Sequence, residues 1–314
     1  MRTPHGPSIL ILACWLVSCA TDEPPEAAAS PEPLRRAFSV CGFANPESVA
    51  AHAGHRYVSN IGAVQDPTAV DGDGFISDLD ARGNVLELSA FKPEVAPLNA
   101  PKGLAIVEDR LYVADIDRVV GFDIETREPV FEAKWEPGAP TLLNDLAVLD
   151  DQTLLVSDTL GGALLRLDLE TSSLATFVGD VPGANGIAID ARRHLAWIVG
   201  VGADFAGGGL FVIDLTQAQP SAHQVDGPFG ILDGIAVLPN GNLVISDWVS
   251  LEPAPGRLLV VTSDGEERRS IELGELQGPA DFYFDRRRDA LWIPAMTENC
   301  VRVSAVPRRH SSSR

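Results

Sequence analysis

The sequence predicts an all-β fold, a six-bladed β-propeller with about four antiparallel strands per blade. One pattern recurs along the chain: a polar pair, a short apolar strand, a tight turn, and a second apolar strand that ends in a polar residue. It is clearest at residues 144–158. The spacing between copies runs from 41 residues (144 to 185) to 55 residues (47 to 102). Repeats of about 40–50 residues with several short strands each are typical of propellers, in which one repeat forms one blade.

Six copies of the pattern are present, and the polar pair marks the start of each. The first residues of the pairs are Glu47, Lys102, Asn144, Asn185, Asp233 and Ala280. The strands that follow are rich in Val, Ile and Leu and are bounded by Asp, Asn and Gly, which is a strand signature. Most copies add a third strand, such as residues 162–168, whereas the fourth is only faint, as at 174–178. Helical periodicity is absent from the body of the chain.

Composition limits the classes of function. The 314 residues carry a formal net charge of −20 and are 45% hydrophobic. Nucleic-acid binding requires clustered Lys and Arg, so the charge argues against it. We expect a monomer that acts on a small molecule and meets a membrane only through a lipid anchor.

The first 18 residues are predicted to be a lipoprotein signal peptide. Arg2 precedes an apolar run at 9–17 that is too short to span a bilayer as a helix. The run ends in Leu-Val-Ser-Cys at 16–19, which resembles a bacterial lipobox and implies lipidation of Cys19. An ordinary cleaved secretory signal is the alternative. The prediction is an exported protein, anchored to the outer membrane or cell surface and facing the periplasm.

The rest of the chain divides into three parts. Residues 19–38 are rich in Ala, Pro, Glu and Ser and are predicted to form a disordered tether. Residues 39–306 form the propeller. Residues 307–314 are a disordered basic tail.

Two cysteines outside the signal region, Cys41 and Cys300, lie just before the first repeat and in the last strand of the sixth. The first and last blades of a propeller are neighbours, so the two residues can meet. Disulfides persist in exported proteins, and a bond across this long loop contributes about 4–5 kcal/mol in the chain-entropy model. A disulfide that closes the ring is favoured, and two separate buried thiols are the alternative.

The first residues of the six repeats are expected to surround the central channel at one end. Four of them offer carboxylate or amide oxygens, which hard divalent cations select: Glu47, Asn144, Asn185 and Asp233. For a single pair such as Asn-Gly, a turn that leads into a strand is the simpler interpretation. Four oxygen-bearing residues at the same position of the repeat favour a metal site instead. Trp248 is interpreted as packing between blades, with a place in the wall of a pocket as the alternative.

On these residues the chain resembles the calcium-dependent lactonase propellers of the regucalcin (senescence marker protein) and gluconolactonase group. The resemblance covers roughly residues 41 to 305 and is carried by Pro46-Glu47-Ser48, Asn144-Asp145, Asn185-Gly186 and Asp233-Gly234. It implies one divalent ion, Ca²⁺ first, with Mg²⁺, Mn²⁺ or Zn²⁺ as alternatives, held by Glu47, Asn144, Asn185 and Asp233. It also implies that Asp233 acts as the catalytic base in metal-assisted hydrolysis of an ester.

Two residues depart from the family pattern. Leu142 occupies the place of an arginine that contacts the substrate in the sugar-lactone members, which argues against a sugar-acid lactone. Lys102 brings a cation to the proposed ligand ring. It either extends away to solvent at the channel mouth or pairs with Glu47 and replaces the metal. Lys102, Asp145 and Asp281 are expected to contact the channel or the substrate.

The leading hypothesis is therefore a metal-dependent hydrolase that opens a lactone or similar ester in the propeller channel. The alternative, from another class, is a non-catalytic propeller that binds a ligand, glycan or protein partner at the cell envelope. A metal-dependent lyase or isomerase acting on a sugar derivative is a third hypothesis, because a metal and a carboxylate base serve several chemistries.

Overall fold

The computed structural model describes Met1, Leu34 and residues 36–94, 97–264 and 268–306. The chain forms two compact units, Met1–Pro31 and Glu32–Arg314. The predicted signal peptide, the tether as far as residue 33, the lipidation site Cys19 and the basic tail lie outside the described residues, apart from Met1. No helix among the described residues is long and apolar enough to cross a membrane.

The predicted six-bladed propeller is confirmed: the described residues form six antiparallel sheets of four strands each. Blade 1 contains β2 (Pro46–His52), β3 (His55–Asn60), β4 (Phe75–Asp80) and β5 (Val85–Phe91). Blade 2 contains β6 (Pro101–Val107), β7 (Arg110–Asp115), β8 (Arg118–Asp123) and β9 (Pro129–Lys134). Blade 3 contains β10 (Leu143–Asp150), β11 (Thr153–Asp158), β12 (Ala163–Asp168) and β13 (Ser173–Val178).

The last three blades follow in chain order. Blade 4 contains β14 (Ala184–Asp190), β15 (Leu195–Gly200), β16 (Gly208–Asp214) and β17 (Ala222–Gly230). Blade 5 contains β18 (Leu232–Val237), β19 (Leu243–Asp247), β20 (Pro255–Val261) and β21 (Arg268–Gln277). Blade 6 contains β22 (Tyr283–Asp285), β23 (Ala290–Ala295) and β24 (Cys300–Ala305), and a 3₁₀ turn at Met296–Glu298 joins the last two.

The fourth strand of blade 6 comes from the start of the ring. Strand β1 (Phe38–Cys41) pairs with β24, and Cys41 lies directly opposite Cys300. The two cysteines form a disulfide across a sequence separation of 259 residues. The predicted bond that closes the ring is therefore confirmed, and it joins the outermost strand of blade 6 to its neighbour.

Apolar layers fill the space between neighbouring blades. One such layer lies between blades 2 and 3 and includes Tyr112, Leu154 and Leu165, all at most 1% exposed. Another lies between blades 6 and 1 and includes Trp292, Val58 and Leu79. Because each sheet is buried on both faces, its central strands are apolar on both sides, as the sequence pattern indicated.

The inner strands β2, β6, β10, β14 and β18 share one irregularity at their first residues. In β10 the pairing with β11 passes from Leu143–Asp158 to Leu146–Val156, so Asn144 and Asp145 form a β-bulge. The same register shift occurs at the polar pair of the other four strands. A β-bulge changes the direction of its side chains and leaves some backbone groups without a partner on the neighbouring strand. The inner strands therefore bend at their polar pairs.

We call the end of the ring where the inner strands begin the upper face and the opposite end the lower face. The β3–β4, β7–β8 and corresponding loops lie on the upper face. The turns that follow each inner strand, such as 191–194 and 286–289, lie on the lower face. The polar pairs therefore lie at the upper end of the channel.

Candidate functional site

A cavity of about 300 Å³ opens at the upper end of the channel. It brings together five of the six residues that the repeat phase singled out, which are Glu47, Lys102, Asn144, Asn185 and Asp233. All five are buried, with 1–8% of each residue exposed. The sixth, Ala280, is fully buried beside the site and packs with Ile61, Ala100 and Met296.

Four oxygen atoms of this cavity have no hydrogen-bond partner. They are Glu47 Oε2, Asn144 Oδ1, Asn185 Oδ1 and Asp233 Oδ1, and each is inaccessible to solvent. Only eight buried side-chain polar atoms in the described part of the chain lack a partner, and half of them converge here. A buried polar group without a partner costs about 1–3 kcal/mol, so four in one cavity indicate that a ligand completes the site.

The donor set fits a hard divalent cation. Two carboxylates and two amides provide only oxygen ligands, as Ca²⁺ and Mg²⁺ prefer. Among the described residues, no group of three or more His, Cys, Asp and Glu side chains is arranged to hold a metal. The four residues with unpartnered oxygens are two acids and two asparagines, so they include only two members of the His, Cys, Asp and Glu set. The four residues predicted as ligands fit the ion that the sequence implied.

Lys102 does not reach solvent, contrary to one of the two sequence-based interpretations. It is 1% exposed, lines the cavity, and donates a hydrogen bond from Nζ to Ala100 O at 2.8 Å. Burial lowers the pKa of Lys102 to about 8, although the charges of Glu47 and Asp115 act in the opposite direction. The other interpretation was that Lys102 pairs with Glu47 in place of the metal. Glu47 Oε2 has no hydrogen-bond partner, so Lys102 does not satisfy this oxygen.

Trp248 lines the site, which was the alternative interpretation of this residue, and it makes a hydrogen bond that the sequence analysis missed. Its Nε1 donates a hydrogen bond to Asp233 Oδ2 at 2.8 Å, and its ring lines the cavity. The interpretation of Trp248 as packing between blades was therefore incomplete. The indole fixes one carboxylate oxygen of Asp233 and leaves Oδ1 free. Its position directly after β19 was the only signal available in the sequence.

Burial and neighbouring charges raise the pKa values of the carboxyl groups in the site. The pKa of Asp233 rises to about 7, first because of burial and then because of the charge of Asp281. The pKa of Glu47 is also well above its usual range, because of burial and then the charge of Asp233. The ring therefore resists carrying both negative charges unless a cation is present.

Asp145 and Asp281 lie outside the upper cavity. They line a second space of about 280 Å³ further down the channel. Asp145 accepts hydrogen bonds from Leu146 N at 2.7 Å and Ile187 N at 2.6 Å, and Asp281 accepts one from Ser48 Oγ at 2.5 Å. Both residues lie along the channel, but they form a layer beneath the ring, where the protein itself satisfies their carboxylates.

The walls of the upper cavity are mainly apolar. Leu142, Val201, Phe205 and Trp248 are among the side chains that surround the polar ring. Phe205 has a positive φ of 58°, in a region where a bulky residue is strained. The loop that carries it follows β15 and belongs to the Gly-rich segment 200–209. The site thus has a polar floor and apolar walls.

Comparisons with known proteins support the fold. No family model matches the chain, and no curated protein matches it. Among solved structures, a gluconolactonase from Xanthomonas campestris has a TM-score of 0.63 and 17% identity and covers 87% of this chain and 89% of its own. A catalytically inactive virginiamycin B lyase from Staphylococcus aureus, solved with quinupristin, has a TM-score of 0.54 and 13% identity, with coverage of 87% and 99%.

A third neighbour, hydrazine synthase from Kuenenia stuttgartiensis, has a TM-score of 0.55 and 14% identity and covers 80% of this chain and 74% of its own. These three proteins are named for three different activities. At such identities the likeness shows a shared propeller fold, and function has to be argued from the site.

Proposed function

We propose that this protein is a divalent-metal-dependent hydrolase that opens a lactone or similar ester in the upper cavity. One observation carries the proposal: four unpartnered oxygens, from Glu47, Asn144, Asn185 and Asp233, converge in a buried cavity. The likeness to a gluconolactonase structure is consistent with it. The comparison alone does not choose between a hydrolase and a lyase.

The four residues would hold the ion, with Ca²⁺ as the first expectation. When bound, the ion polarises the ester carbonyl and stabilises negative charge on its oxygen. The two asparagines add ligand oxygens without adding charge. The buried Lys102 ammonium lines the same cavity, where its charge lowers the pKa of Glu47 and opposes the binding of a second cation.

Asp233 is the proposed base. Trp248 holds its Oδ2, so Oδ1 faces the cavity and can take a proton from water. The oxygen of that water adds to the ester carbonyl carbon, the acyl–oxygen bond breaks, and the leaving alkoxide recovers the proton. A lactone thereby becomes a hydroxy acid. In the metal-free protein burial raises the pKa of Asp233 to about 7, and a bound cation would lower it, so that the carboxylate is present to act as the base.

The walls suggest which esters would fit. Leu142, Phe205 and Trp248 offer apolar surface, and Leu142 stands where the sugar-lactone members carry an arginine. A substrate with hydroxyl or carboxylate groups along its ring would leave them unpaired against these walls, at a cost of about 1–3 kcal/mol each. We therefore propose a lactone or ester with an apolar substituent.

The proposed location is the cell envelope, with a lipid on Cys19. The Cys41–Cys300 disulfide supports an oxidising compartment. The proposal includes a monomer that acts on a small-molecule substrate and has no nucleic-acid partner.

The test is elemental analysis and Ca²⁺ calorimetry of wild type beside Asn144→Ala, followed by a panel of apolar and sugar lactones. We expect one bound divalent ion in wild type, its loss in the variant, and turnover of apolar lactones only by the metal-loaded wild type. Asn84→Ala, at an exposed turn, is the control. Absence of metal from the wild type after Ca²⁺ titration would refute the proposal.

A non-catalytic binding propeller is the second candidate, and one observation favours it. Large apolar side chains are exposed on the upper face around the cavity, at 43–77% exposure. They are Val64, Val70, Leu160, Phe229, Val249 and Leu251. Such a rim suits a partner surface as well as an apolar substrate. Turnover that is absent from every metal-loaded preparation, together with a captured ligand, would favour this candidate.

A further inference from the structure

A cluster of arginines lies on the lower face, far from the candidate active site. Two of them, Arg192 and Arg193, occupy the turn after the inner strand of blade 4. Three more, Arg286, Arg287 and Arg288, occupy the turn after the inner strand of blade 6. The chain as a whole carries a net charge of −20, so this sector reverses the sign of the molecule. We call these five residues the arginine sector.

A concave space separates the two turns. It has a volume of about 440 Å³, and its lining includes Arg192, Arg193 and Arg286. The floor is the uncharged turn of blade 5, at Pro239–Gly241. Backbone carbonyls hold two of the guanidinium groups: Arg193 donates to Gly241 O at 3.3 Å and Arg286 to Val237 O at 3.3 Å. The three cations therefore surround a space large enough for a phosphate group and its substituents.

Three acids lie in or beside the two turns, Asp190, Asp285 and Asp289, and each of them interacts with other groups of the protein. Asp285 is buried and forms an ion pair with Arg56 at 2.7 Å. Asp190, which is 6% exposed, accepts hydrogen bonds from the backbone N–H groups of Arg192 and Arg193 and lies 3.5 Å from Arg193 Nη1. Arg192 and Arg287 are exposed and form no ion pair with any described side chain. Positive charge therefore remains available to an outside partner.

The rest of the lower face differs. The corresponding turns of blades 2 and 3 carry Glu108, Asp109 and Asp151. The outer turn of blade 5 is mixed, with Asp264 followed in the sequence by two glutamates and then Arg268 and Arg269. Net positive charge is thus confined to the inner turns of blades 4 and 6 and does not extend around the ring.

Both ends of the propeller chain leave from the lower face beside the arginine sector. Strand β1 begins there, and Leu34 N donates to Arg288 O at 3.3 Å. Strand β24 ends there, and Val306 N donates to Asp289 O at 2.9 Å. In the sequence, Arg35 and Arg36 are separated from β1 by one residue, and Arg308 and Arg309 are separated from Val306 by one residue. The segment that precedes the propeller therefore joins it next to the most positive surface.

We propose that the arginine sector docks the lower face on an anionic phospholipid surface, with a headgroup phosphate in the cavity between blades 4 and 6. Arginine recognises phosphate oxygens in pairs of hydrogen bonds, and each basic residue near an anionic membrane contributes to attraction. In this orientation the upper cavity faces away from the bilayer. The inference is independent of the proposed hydrolase activity.

Vesicle co-sedimentation of the full chain with Cys19→Ser tests the docking without the proposed lipid. We expect binding to vesicles containing phosphatidylglycerol, little binding to pure phosphatidylcholine, and release by about 1 M salt, which shortens the Debye length to ~3 Å. Replacement of three arginines by glutamate (R192E, R286E and R287E) should weaken the partition at least tenfold, because each arginine contributes roughly fivefold near the surface.

The matched control reverses three exposed basic residues of blades 2 and 3 (R110E, K134E and R166E), which gives the same change in net charge. It should retain most of the binding. Equal losses in both triple variants, or no preference for phosphatidylglycerol, would overturn the proposal. So would binding of soluble polyphosphate without binding of vesicles, which would assign the cavity to a soluble anion. If the variant with three glutamates does not fold, the same three arginines are replaced by glutamine and the binding experiment is repeated.

Discussion

At the scale of single residues, the site depends on which oxygens the protein leaves free. Asp145 and Asp281 have protein donors, whereas each of the four residues in the ring above them keeps one oxygen without a donor. Both pairs of acids are buried and carry raised pKa values, so burial alone does not separate a ligand from a supporting residue. A ligand differs from a supporting residue in whether the protein supplies hydrogen-bond donors to its oxygens.

Trp248→Phe should lower kcat/KM by about ten- to hundredfold, because a hydrogen bond to a charged group is worth about 1.5–3 kcal/mol. The indole hydrogen bond lowers the pKa of Asp233, so its loss should also move the acidic limb of the pH–rate profile upward. Trp135→Phe is the matched control, because Trp135 donates to Asp158 Oδ2 at 3.1 Å outside the cavity. An unchanged pH profile in Trp248→Phe would contradict a positioning role.

Lys102→Met should tighten Ca²⁺ binding by tenfold or more, because it removes a buried cation from the cavity that holds the ion. Calorimetry measures the affinity, and the exposed Lys134→Met is the control. Weaker Ca²⁺ binding in Lys102→Met would mean that the lysine supports the ring instead of opposing the ion.

The raised pKa values also predict how stability depends on pH in the metal-free protein. Glu47, Asp145, Asp233 and Asp281 bind protons more tightly when folded than in the unfolded chain, where carboxyl pKa values are about 4. The native state then holds more protons, so stability falls as pH rises from about 4 to about 7. Exposed acids such as Asp214, whose pKa is lowered to about 2, affect stability only below this window, where their contribution is lost as pH falls from about 4 to about 2.

Thermal unfolding in chelator between pH 4 and pH 8 measures this effect. The melting temperature should fall across the window, and excess Ca²⁺ should reduce or reverse the fall, because the ion binds the deprotonated ring. Asp233→Asn should flatten the slope. A melting temperature that rises with pH in chelator would contradict these pKa values.

At the scale of elements, the bulge of each inner strand explains the recurring polar pair. The second residue of the pair leaves the ladder, and in three repeats its N–H finds a serine hydroxyl on the neighbouring strand. Ser59, Ser157 and Ser246 accept these bonds at 2.9, 2.8 and 2.7 Å. The serine near the end of the second strand therefore compensates for the bulge that directs the proposed metal ligand into the channel.

Glycine fills the second position of the pair where neighbouring inner strands approach most closely. A Cβ at Gly186 would lie 2.2 Å from Asp233 O and 3.0 Å from Gly234 Cα. Gly186→Ala should therefore lower the free energy of unfolding by about 1–3 kcal/mol and weaken metal binding, because blades 4 and 5 must separate. Urea unfolding tests this, with Gly179→Ala as a control that has open space. Equal stability in both variants would contradict the close approach.

The sequence predicted elements better than it predicted contacts between them. The repeat phase located Glu47, Asn144, Asn185 and Asp233, because one position in a repeated blade always meets the axis. It could not reveal that Trp248 turns toward Asp233, because the loop after β19 decides this. It also could not reveal that Lys102 points inward, because the bulge at the start of β6 sets the direction of that side chain. It also left β1 unassigned, because that strand pairs only with β24, more than 250 residues away.

At the scale of the whole molecule, the ring is closed by a strand from one end of the propeller chain and a disulfide. The double variant with Cys41→Ser and Cys300→Ser should lower the free energy of unfolding by up to about 4–5 kcal/mol, measured by urea denaturation. Reducing agent should destabilise the wild type and leave the double variant unchanged. A variant as stable as the oxidised wild type would show that β1 pairing alone closes the ring.

The same bond turns the chain between residues 41 and 300 into one covalent macrocycle. A protease that cuts any single loop of that stretch linearises the circle without releasing a fragment. The nicked protein keeps its mass until a reductant separates the pieces. The first proteolytic cut within the propeller therefore leaves every blade attached to the others.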